Sequence, residues 1–270
     1  MTRFEAIKDI DLSHIRALIT GSSTGIGLAM AHALLSHGAT VALSARPGDK
    51  LKHAVDRMRD NGLKASALPM DVRDEAAIEK ATVWVRNNWG SIDLLVNNAG
   101  LMAHRVNPDF FTHPEPFFRI SPDYFRDAVD TNLTGYFLVS RAFVPMMIER
   151  GRGKIVNLST SLATMTRKGF VPYGPSRAGS EALSNVMAAD LKEFGITVNV
   201  LLPGGPVDKG VYGDNSEDFS KIPIKLLDVG IMASPIIFLA SPLSDGMTGE
   251  RIIAREFGAF LKDKGIVLSI

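Results

Sequence analysis

The sequence predicts an α/β fold in which a parallel sheet carries helices on both faces. Short apolar runs rich in strand-forming residues alternate with longer segments of helical spacing along all 270 residues, as in strand–helix–strand crossovers. The runs are apolar without alternation, which burial on both faces of a sheet requires. A glycine-rich turn at residues 20–27 joins the first apolar run to a helix rich in small residues.

Each predicted strand is a short apolar run, and each predicted helix is a longer segment that follows one. The strands are expected at residues 17–19, 41–43, 65–68, 92–96, 155–158, 197–202 and near 251–254. The helices are expected at residues 26–36, 49–61, 74–88, 122–149, 173–193 and 230–239. We expect residues 1–270 to form one domain, because no linker or repeat divides them.

The turn after the first strand is a candidate phosphate cradle. Its sequence, TGSSTGIG, has glycines where a diphosphate would approach backbone N–H groups, and the following helix start adds unpaired donors and partial positive charge. The spacing, G-x3-G-x-G, is tighter than the general dinucleotide fingerprint. A glycine-rich helix start without a ligand is the alternative.

The composition narrows the class of partner. Thirty basic and 29 acidic side chains give a net charge of +1 with no long run of either sign, so nucleic acid and anionic membranes are not expected as partners. The chain has no cysteine, and its six histidines show no metal-ligand spacing, so we expect no metal site. No segment is typical of a signal peptide or a membrane span, which predicts a cytoplasmic protein.

Two segments stand outside the alternation and are candidate walls of a substrate pocket, at residues 101–121 and 203–227. The first carries Phe110, Phe111, Phe117 and Phe118, and the second carries Tyr212 and Phe219. Ligands in such sheets bind beyond the carboxyl ends of the strands, where these segments lie. The aromatic side chains either contact the substrate or anchor the loops to the body of the protein.

Polar side chains occur where chemistry at that sheet edge would need them. The sequence NNAG at 97–100 follows the fourth strand, and Asn132 interrupts a long apolar helix, where its amide needs hydrogen-bond partners. Thr160 and Ser161 follow the fifth strand. Tyr173 and Arg177 are spaced i, i+4 at a helix start, which places a phenol and a guanidinium on one helix face.

In order and spacing, these motifs resemble the short-chain dehydrogenase/reductase family from Arg16 to about Gly258. The resemblance implies a Rossmann-like, doubly wound parallel sheet of about seven strands and an oxidoreductase that uses NAD(H) or NADP(H). It implies that Tyr173 is the general acid/base, that Thr160 or Ser161 holds the substrate oxygen, and that Asn132 supports a proton-relay water. The residues implied for the cofactor are Gly21, Ser23, Thr24, Gly25, Ile26, Gly27, Arg46, Asp71, Val72, Asn98, Ala99, Gly100, Tyr173, Arg177, Pro203 and Gly204.

Three positions depart from the family pattern. The family has lysine four residues after the tyrosine, whereas this chain has Arg177, which keeps the charge in a bulkier planar group. Lys209 stands where a threonine commonly contacts the nicotinamide amide, and Thr160 stands where serine is usual. Two hypotheses follow: an active dehydrogenase/reductase, or a cofactor-binding homologue with little or no catalysis.

The end of the second strand predicts which nicotinamide cofactor is used. A carboxylate there binds the free ribose hydroxyl of NAD(H), whereas arginine receives the 2′-phosphate of NADP(H). Here the residues are Ser44, Ala45 and Arg46, so NADP(H) is favoured, with an ordinary surface arginine as the alternative.

The expected activity interconverts a carbonyl and a secondary alcohol on a small, moderately apolar metabolite. Small and apolar residues on two long helices predict a homodimer or homotetramer.

Overall fold

A parallel sheet of seven strands forms the centre of the computed structural model, which describes residues 6–102, 113–208, 212–213 and 225–269. Its strands are β1 Arg16–Thr20, β2 Thr40–Ala45, β3 Ala65–Pro69, β4 Leu94–Asn97, β5 Gly153–Leu158, β6 Ile196–Leu202 and β9 Arg251–Ile253. They lie in the order β3-β2-β1-β4-β5-β6-β9, and the doubly wound α/β class predicted from the sequence is confirmed.

Helices cover both faces of this sheet. The helices described are α1 Gly25–Ser36, α2 Asp49–Asp60, α3 Glu75–Trp89, α4 Pro122–Val129, α5 Gly135–Arg150, α6 Leu162–Met165, α7 Tyr173–Leu191, α8 Ala233–Ala240 and α9 Phe257–Asp263. One apolar cluster joins α1, α2, α8 and α9 to the sheet, and a second joins α3, α5 and α7 to the opposite face. All residues of β4 and β6 are buried, as expected for strands that helices cover on both faces.

The long helix predicted at 122–149 is divided in the structure. A π-helical turn, Asp130–Thr134, separates α4 from α5, and such turns often occur at functional sites. Asn132 lies inside this turn and is fully buried. Its side-chain amide bonds Leu101 and Ser176, both outside this turn, so a buried polar group in an apolar helix has partners.

Several short helices and strands were not predicted from the sequence. Strands β7 Val207–Asp208 and β8 Leu227–Asp228 pair in parallel outside the main sheet. A 3-10 turn at Val229–Met232 precedes α8, so the helix expected from 230 begins later. Helices α6 and α9 are only four and seven residues long, which is too short for a clear apolar period. No helix of the described residues is long and apolar enough to cross a membrane.

Candidate active site

The glycine-rich turn lies at the carboxyl end of β1, where the first strand passes into α1. Gly21 has a φ of 64°, and a Cβ there would lie 2.7 Å from Ala99 Cα, so no other residue fits without strain. A Cβ on Gly27 would lie 2.6 Å from the Gly21 carbonyl oxygen. Thr24 precedes α1 without capping it through its side chain, which leaves the first N–H groups of the helix available to an anion.

Asn98 ties this turn to the end of β4. Its Nδ2 donates to the carbonyl oxygens of Thr20 and Gly21, both at 2.9 Å. The backbone N–H groups of Asn98 and Ala99 donate to Thr20 Oγ1 at 3.0 and 3.1 Å. Four hydrogen bonds therefore join the two predicted cofactor segments.

Arg46, Asp71 and Val72 lie together at the ends of β2 and β3. Arg73, which the sequence analysis did not single out, binds Asp71 through two contacts of 3.1 and 2.9 Å and also reaches Asp127. The hydrogen bonds from Arg73, against the opposing effect of burial and with help from Arg46, hold the pKa of Asp71 below its usual value. Asp71 is therefore a carboxylate at neutral pH.

Asn132 fixes the start of the segment that follows the NNAG motif. Its Oδ1 accepts from Leu101 N at 2.7 Å, and its Nδ2 donates to Leu101 O at 3.0 Å and to Ser176 Oγ at 2.9 Å. The side-chain amide is thus engaged with the protein, and it joins the π-helical turn to α7. Asn132 was predicted as a site residue because a side-chain amide within an apolar helix needs hydrogen-bond partners.

The two hydroxyls proposed to hold the substrate oxygen have different surroundings. Ser161 caps α6, accepting from Thr164 N at 3.1 Å, and its Oγ also pairs with Thr164 Oγ1 at 2.8 Å. Thr160 lines the cleft, and its carbonyl oxygen accepts from Arg251 at 2.7 Å. Ser159, missed from the sequence, also lines the cleft, and its Oγ is buried without a partner among the described residues.

Tyr173 and Arg177 face the cleft from the first turns of α7. Both residues are buried, with exposed fractions of 7% and 6%. The Cζ atom of Arg177 lies 5.4 Å from the centroid of the Tyr173 ring, so the i, i+4 spacing brings the cation to the phenol as predicted. Gly100 makes room for the guanidinium, because a Cβ there would collide with its Nη2 atom.

Tyr136, the second residue of α5, was missed from the sequence because it reads as one more apolar position. Arg177 Nη1 donates to its hydroxyl at 2.6 Å and to Leu158 O at 2.9 Å. Burial raises the pKa of Tyr136, although Arg177 opposes that rise. Burial also opposes the charge of Arg177, but Tyr136 and Tyr173 stabilise it, so its pKa lies above the usual value.

One cleft of about 710 Å³ joins these groups. The predicted site residues that line it are Gly21, Ser23, Thr24, Gly25, Ile26, Gly27, Arg46, Asp71, Val72, Asn98, Ala99, Gly100, Thr160, Ser161, Tyr173, Arg177, Pro203 and Gly204. Asn132 lies behind the lining. In the described part of the chain, no three acidic or histidine side chains gather as metal ligands would.

Three aromatic residues of the predicted substrate segments do not line the cleft: Phe117, Phe118 and Tyr212. Tyr212 bonds His32 Nδ1 of α1 at 3.0 Å, which fits a loop anchor. Phe117 and Phe118 are each 71% exposed. Four other residues named from the sequence fall outside the described residues: Phe110, Phe111, Lys209 and Phe219.

A doubly wound sheet with a glycine-walled cleft that ends at a tyrosine beside a cation defines a nicotinamide-dependent oxidoreductase. The family model described as short chain dehydrogenase matches residues 16–213. The chain therefore belongs to the short-chain dehydrogenase family, and it is an oxidoreductase that acts on CH–OH groups.

Relatives and solved structures agree with this family. The chain is 36% identical over 193 residues to the gluconate 5-dehydrogenase of Gluconobacter oxydans, covering 72% of each. It is 32% identical over 241 residues to the 3-oxoacyl-(acyl-carrier-protein) reductase of Vibrio harveyi, covering 87% of this chain and 93% of the relative. A gluconate 5-dehydrogenase from Burkholderia cenocepacia, crystallised with NADP and tartrate, superimposes with a TM-score of 0.78 and 29% identity, covering 94% of this chain and 98% of that one.

Proposed function

We propose that the protein uses NADP(H) to interconvert a carbonyl and a secondary alcohol on a small, moderately apolar metabolite. The observation that supports this best is the single cleft that runs from the glycine-rich turn to Tyr173 and Arg177. We also propose that residues 1–270 are one domain whose segments at 101–121 and 203–227 border the substrate. Exposed apolar residues on α5 and α7, Phe137 and Val186, favour a homodimer or homotetramer.

The residues present fit a dinucleotide phosphate. The turn at residues 21–27 would hold the diphosphate, because its close backbone packing leaves no space for side chains and α1 supplies unpaired N–H groups. Arg46 would pair with the 2′-phosphate, while Asp71 and Val72 would border the adenine. Asn98, Ala99, Gly100, Pro203 and Gly204 would border the nicotinamide end. When bound there, NADPH supplies a hydride for a carbonyl carbon.

Each reactive side chain has one task in this proposal. As the C=O bond becomes a C–H and C–O⁻ unit, Tyr173 donates its phenolic proton to the oxygen, which completes the alcohol and leaves a tyrosinate to be reprotonated from solvent. Thr160 donates a hydrogen bond to the same oxygen, and it is favoured over Ser161 because the Ser161 hydroxyl caps α6. Arg177, in the place of the usual lysine, stabilises the tyrosinate.

The substrate end of the cleft favours a partly apolar ligand. Leu101, Met102, Ala163 and Phe170 line it. A second candidate substrate is a hydroxy acid, because Arg167 also lines the cleft and guanidinium groups recognise carboxylates. The name of the Gluconobacter oxydans relative, gluconate 5-dehydrogenase, supports this second candidate.

Turnover of a carbonyl panel with NADPH tests the proposal. The panel contains apolar ketones and keto acids of matched length, and it is assayed with the wild type and with Arg177→Lys. We expect the wild type to oxidise NADPH with at least one class of ketone. Turnover by Arg177→Lys alone would instead identify a cofactor-binding homologue whose catalysis was lost with the lysine.

A further inference from the structure

Tyr136 lies directly behind the guanidinium of Arg177. It is the second residue of α5, and only 1% of its surface is exposed. Its hydroxyl donates to Leu158 O at 3.2 Å while it accepts from Arg177 Nη1 at 2.6 Å. Leu158 O also accepts from the same nitrogen at 2.9 Å. The three groups form a closed triangle of hydrogen bonds at the end of β5.

A buried arginine needs this kind of support more than a lysine does. The guanidinium carries five N–H groups in a rigid plane, so its orientation depends on where acceptors lie. Both N–H groups of Nη1 are taken by Tyr136 and Leu158, whereas Nε is buried and has no partner among the described residues. The Tyr136 hydroxyl is therefore one of only two acceptors that the described residues offer to the Nη1 end of this fork.

The same guanidinium serves two phenols. Its Cζ atom lies 5.5 Å from the Tyr136 ring centroid and 5.4 Å from that of Tyr173. These two tyrosines are the titratable groups that act on Arg177. Tyr136 is fully enclosed and keeps its proton as neutral donor and acceptor, whereas Tyr173 borders the cleft. One phenol is placed to hold the cation and the other is placed to react.

We propose that Tyr136 is a positioning residue whose hydroxyl, together with Leu158 O, holds the Arg177 guanidinium in the orientation that places its charge beside Tyr173. The proposal rests on the proposed function, because it assigns Tyr136 to the reaction of Tyr173 through Arg177. It also gives a reason why arginine can replace the lysine of the family. The two acceptors fix the orientation of the planar guanidinium.

A double-mutant cycle between Tyr136→Phe and Arg177→Lys tests the proposal. With Arg177 in place, we expect Tyr136→Phe to lower kcat by about tenfold, the size of one hydrogen bond to a charged group. The KM for NADPH is expected to change less than about twofold, and the alkaline limb of the rate profile to move to higher pH. In the Arg177→Lys background the same change is expected to have no effect, since the shorter ammonium does not use the Tyr136 acceptor.

Tyr124→Phe is the matched control. The Tyr124 hydroxyl is buried but has no partner among the described residues, so its loss is expected to leave kcat, KM and the rate profile unchanged. A second readout needs no turnover. The denaturant midpoint of unfolding is measured for the cofactor-free wild type, for both single variants and for the double variant. Tyr136→Phe is expected to lower that midpoint more when residue 177 is arginine than when it is lysine.

Two results would overturn the proposal. Equal effects of Tyr136→Phe in both backgrounds would mean that Tyr136 only packs the core, and no effect in either would mean that Arg177 is held without it. If the Tyr136→Phe variant does not fold, we expect the double variant with Arg177→Lys to fold. Failure of both variants to fold would also contradict the proposal. If no carbonyl is reduced by the wild type, the proposed function fails, while the unfolding comparison still decides whether Tyr136 holds Arg177.

Discussion

Arg177 carries its charge in a group whose shape dictates its surroundings. The side chain enters the space that Gly100 leaves open, and its guanidinium donates hydrogen bonds to the Tyr136 hydroxyl and to Leu158 O. Because it is buried beside two phenols, its charge is stabilised by them rather than by water. At the residue scale, the proposed reaction therefore depends on one cation that is held beside one tyrosine.

Removal of the Tyr173 hydroxyl tests its role as the acid/base. We predict that Tyr173→Phe lowers kcat by about 10²- to 10⁴-fold, the usual contribution of general acid–base catalysis. NADPH binding, followed through the fluorescence of Trp84 and Trp89, is expected to stay within about threefold of the wild type because the ring remains. Unchanged turnover would show that another group delivers the proton.

Arg46 is expected to decide between the two nicotinamide cofactors. It directly follows β2 and lines the cleft. We predict that Arg46→Ala weakens NADPH binding by about 10- to 100-fold, the effect of losing one charge-assisted contact, and leaves NADH binding unchanged. Isothermal titration with both cofactors measures this. Tighter binding of NADH than NADPH by the wild type would contradict the assignment.

At the element scale, an ion pair between β9 and α7 positions the end of β5. Arg251 Nε contacts both carboxylate oxygens of Glu181 at 3.1 and 3.0 Å, and its Nη2 donates to Thr160 O at 2.7 Å. We predict that Arg251→Met lowers kcat by about three- to tenfold, because the backbone that carries the Thr160 hydroxyl loses this support.

Arg86→Met is the matched control for that change. Arg86 also forms two contacts with one glutamate, Glu149, but on the far surface of α3 and α5. Steady-state kinetics of the two variants separate a positioning effect from the general loss of an ion pair. Equal kcat values for both variants would show that Thr160 needs no support from β9.

The π-helical turn depends on the amide of Asn132. Its three hydrogen bonds join Leu101 to Ser176 across two helices. We predict that Asn132→Ala lowers the free energy of unfolding by about 2–4 kcal/mol, because partly buried backbone groups of Leu101 and the buried Ser176 hydroxyl lose a partner. Denaturant unfolding measures the change, and Ser161→Ala, at the cap of the short helix α6, serves as a milder control. A loss below about 0.5 kcal/mol would contradict this role.

Elements with local signals could be predicted from the sequence, whereas those set by long-range contacts could not. The glycine-rich turn and the Tyr173–Arg177 pair each span eight residues or fewer, so both could be predicted from the sequence. The break at Asp130–Thr134 contains Asn132, whose amide bonds a backbone group 31 positions away. Tyr136 has an acceptor role only because Arg177 of α7, 41 positions later, donates to it, and no local pattern reports that contact.

At the scale of the whole molecule, the alternation of short, mostly apolar strands with longer helices was sufficient to predict the layered architecture. Both faces of the sheet are covered by helices that belong to two separate apolar clusters. The same burial brings the carboxyl ends of several strands to one cleft, which is why residues far apart in sequence, from Gly21 to Gly204, line it. The substrate was not predictable, because the proposed substrate segments at 101–121 and 203–227 have no repeating pattern.

Acid stability is expected to depend on Asp71. Arg73 lowers the pKa of Asp71 in the folded protein, so this pair stabilises the fold above the unfolded value of about 3.9, and the contribution is lost as pH falls through the lower folded value. We predict that Asp71→Asn lowers the free energy of unfolding at pH 7 by at most about 1 kcal/mol, since the pair is partly exposed. Below about pH 3 the difference from the wild type should shrink, and an equal difference at both pH values would contradict the linkage.

Transfer of a deuterium label tests the central claim most directly. The protein is incubated with NADPH deuterated at the reactive nicotinamide carbon and with each ketone of the panel, and the alcohols are analysed by mass spectrometry. The account predicts that the wild type places one deuterium on the carbinol carbon of at least one product and that Tyr173→Phe places almost none. Absence of label from every product of the wild type, or equal labelling by Tyr173→Phe, would contradict it.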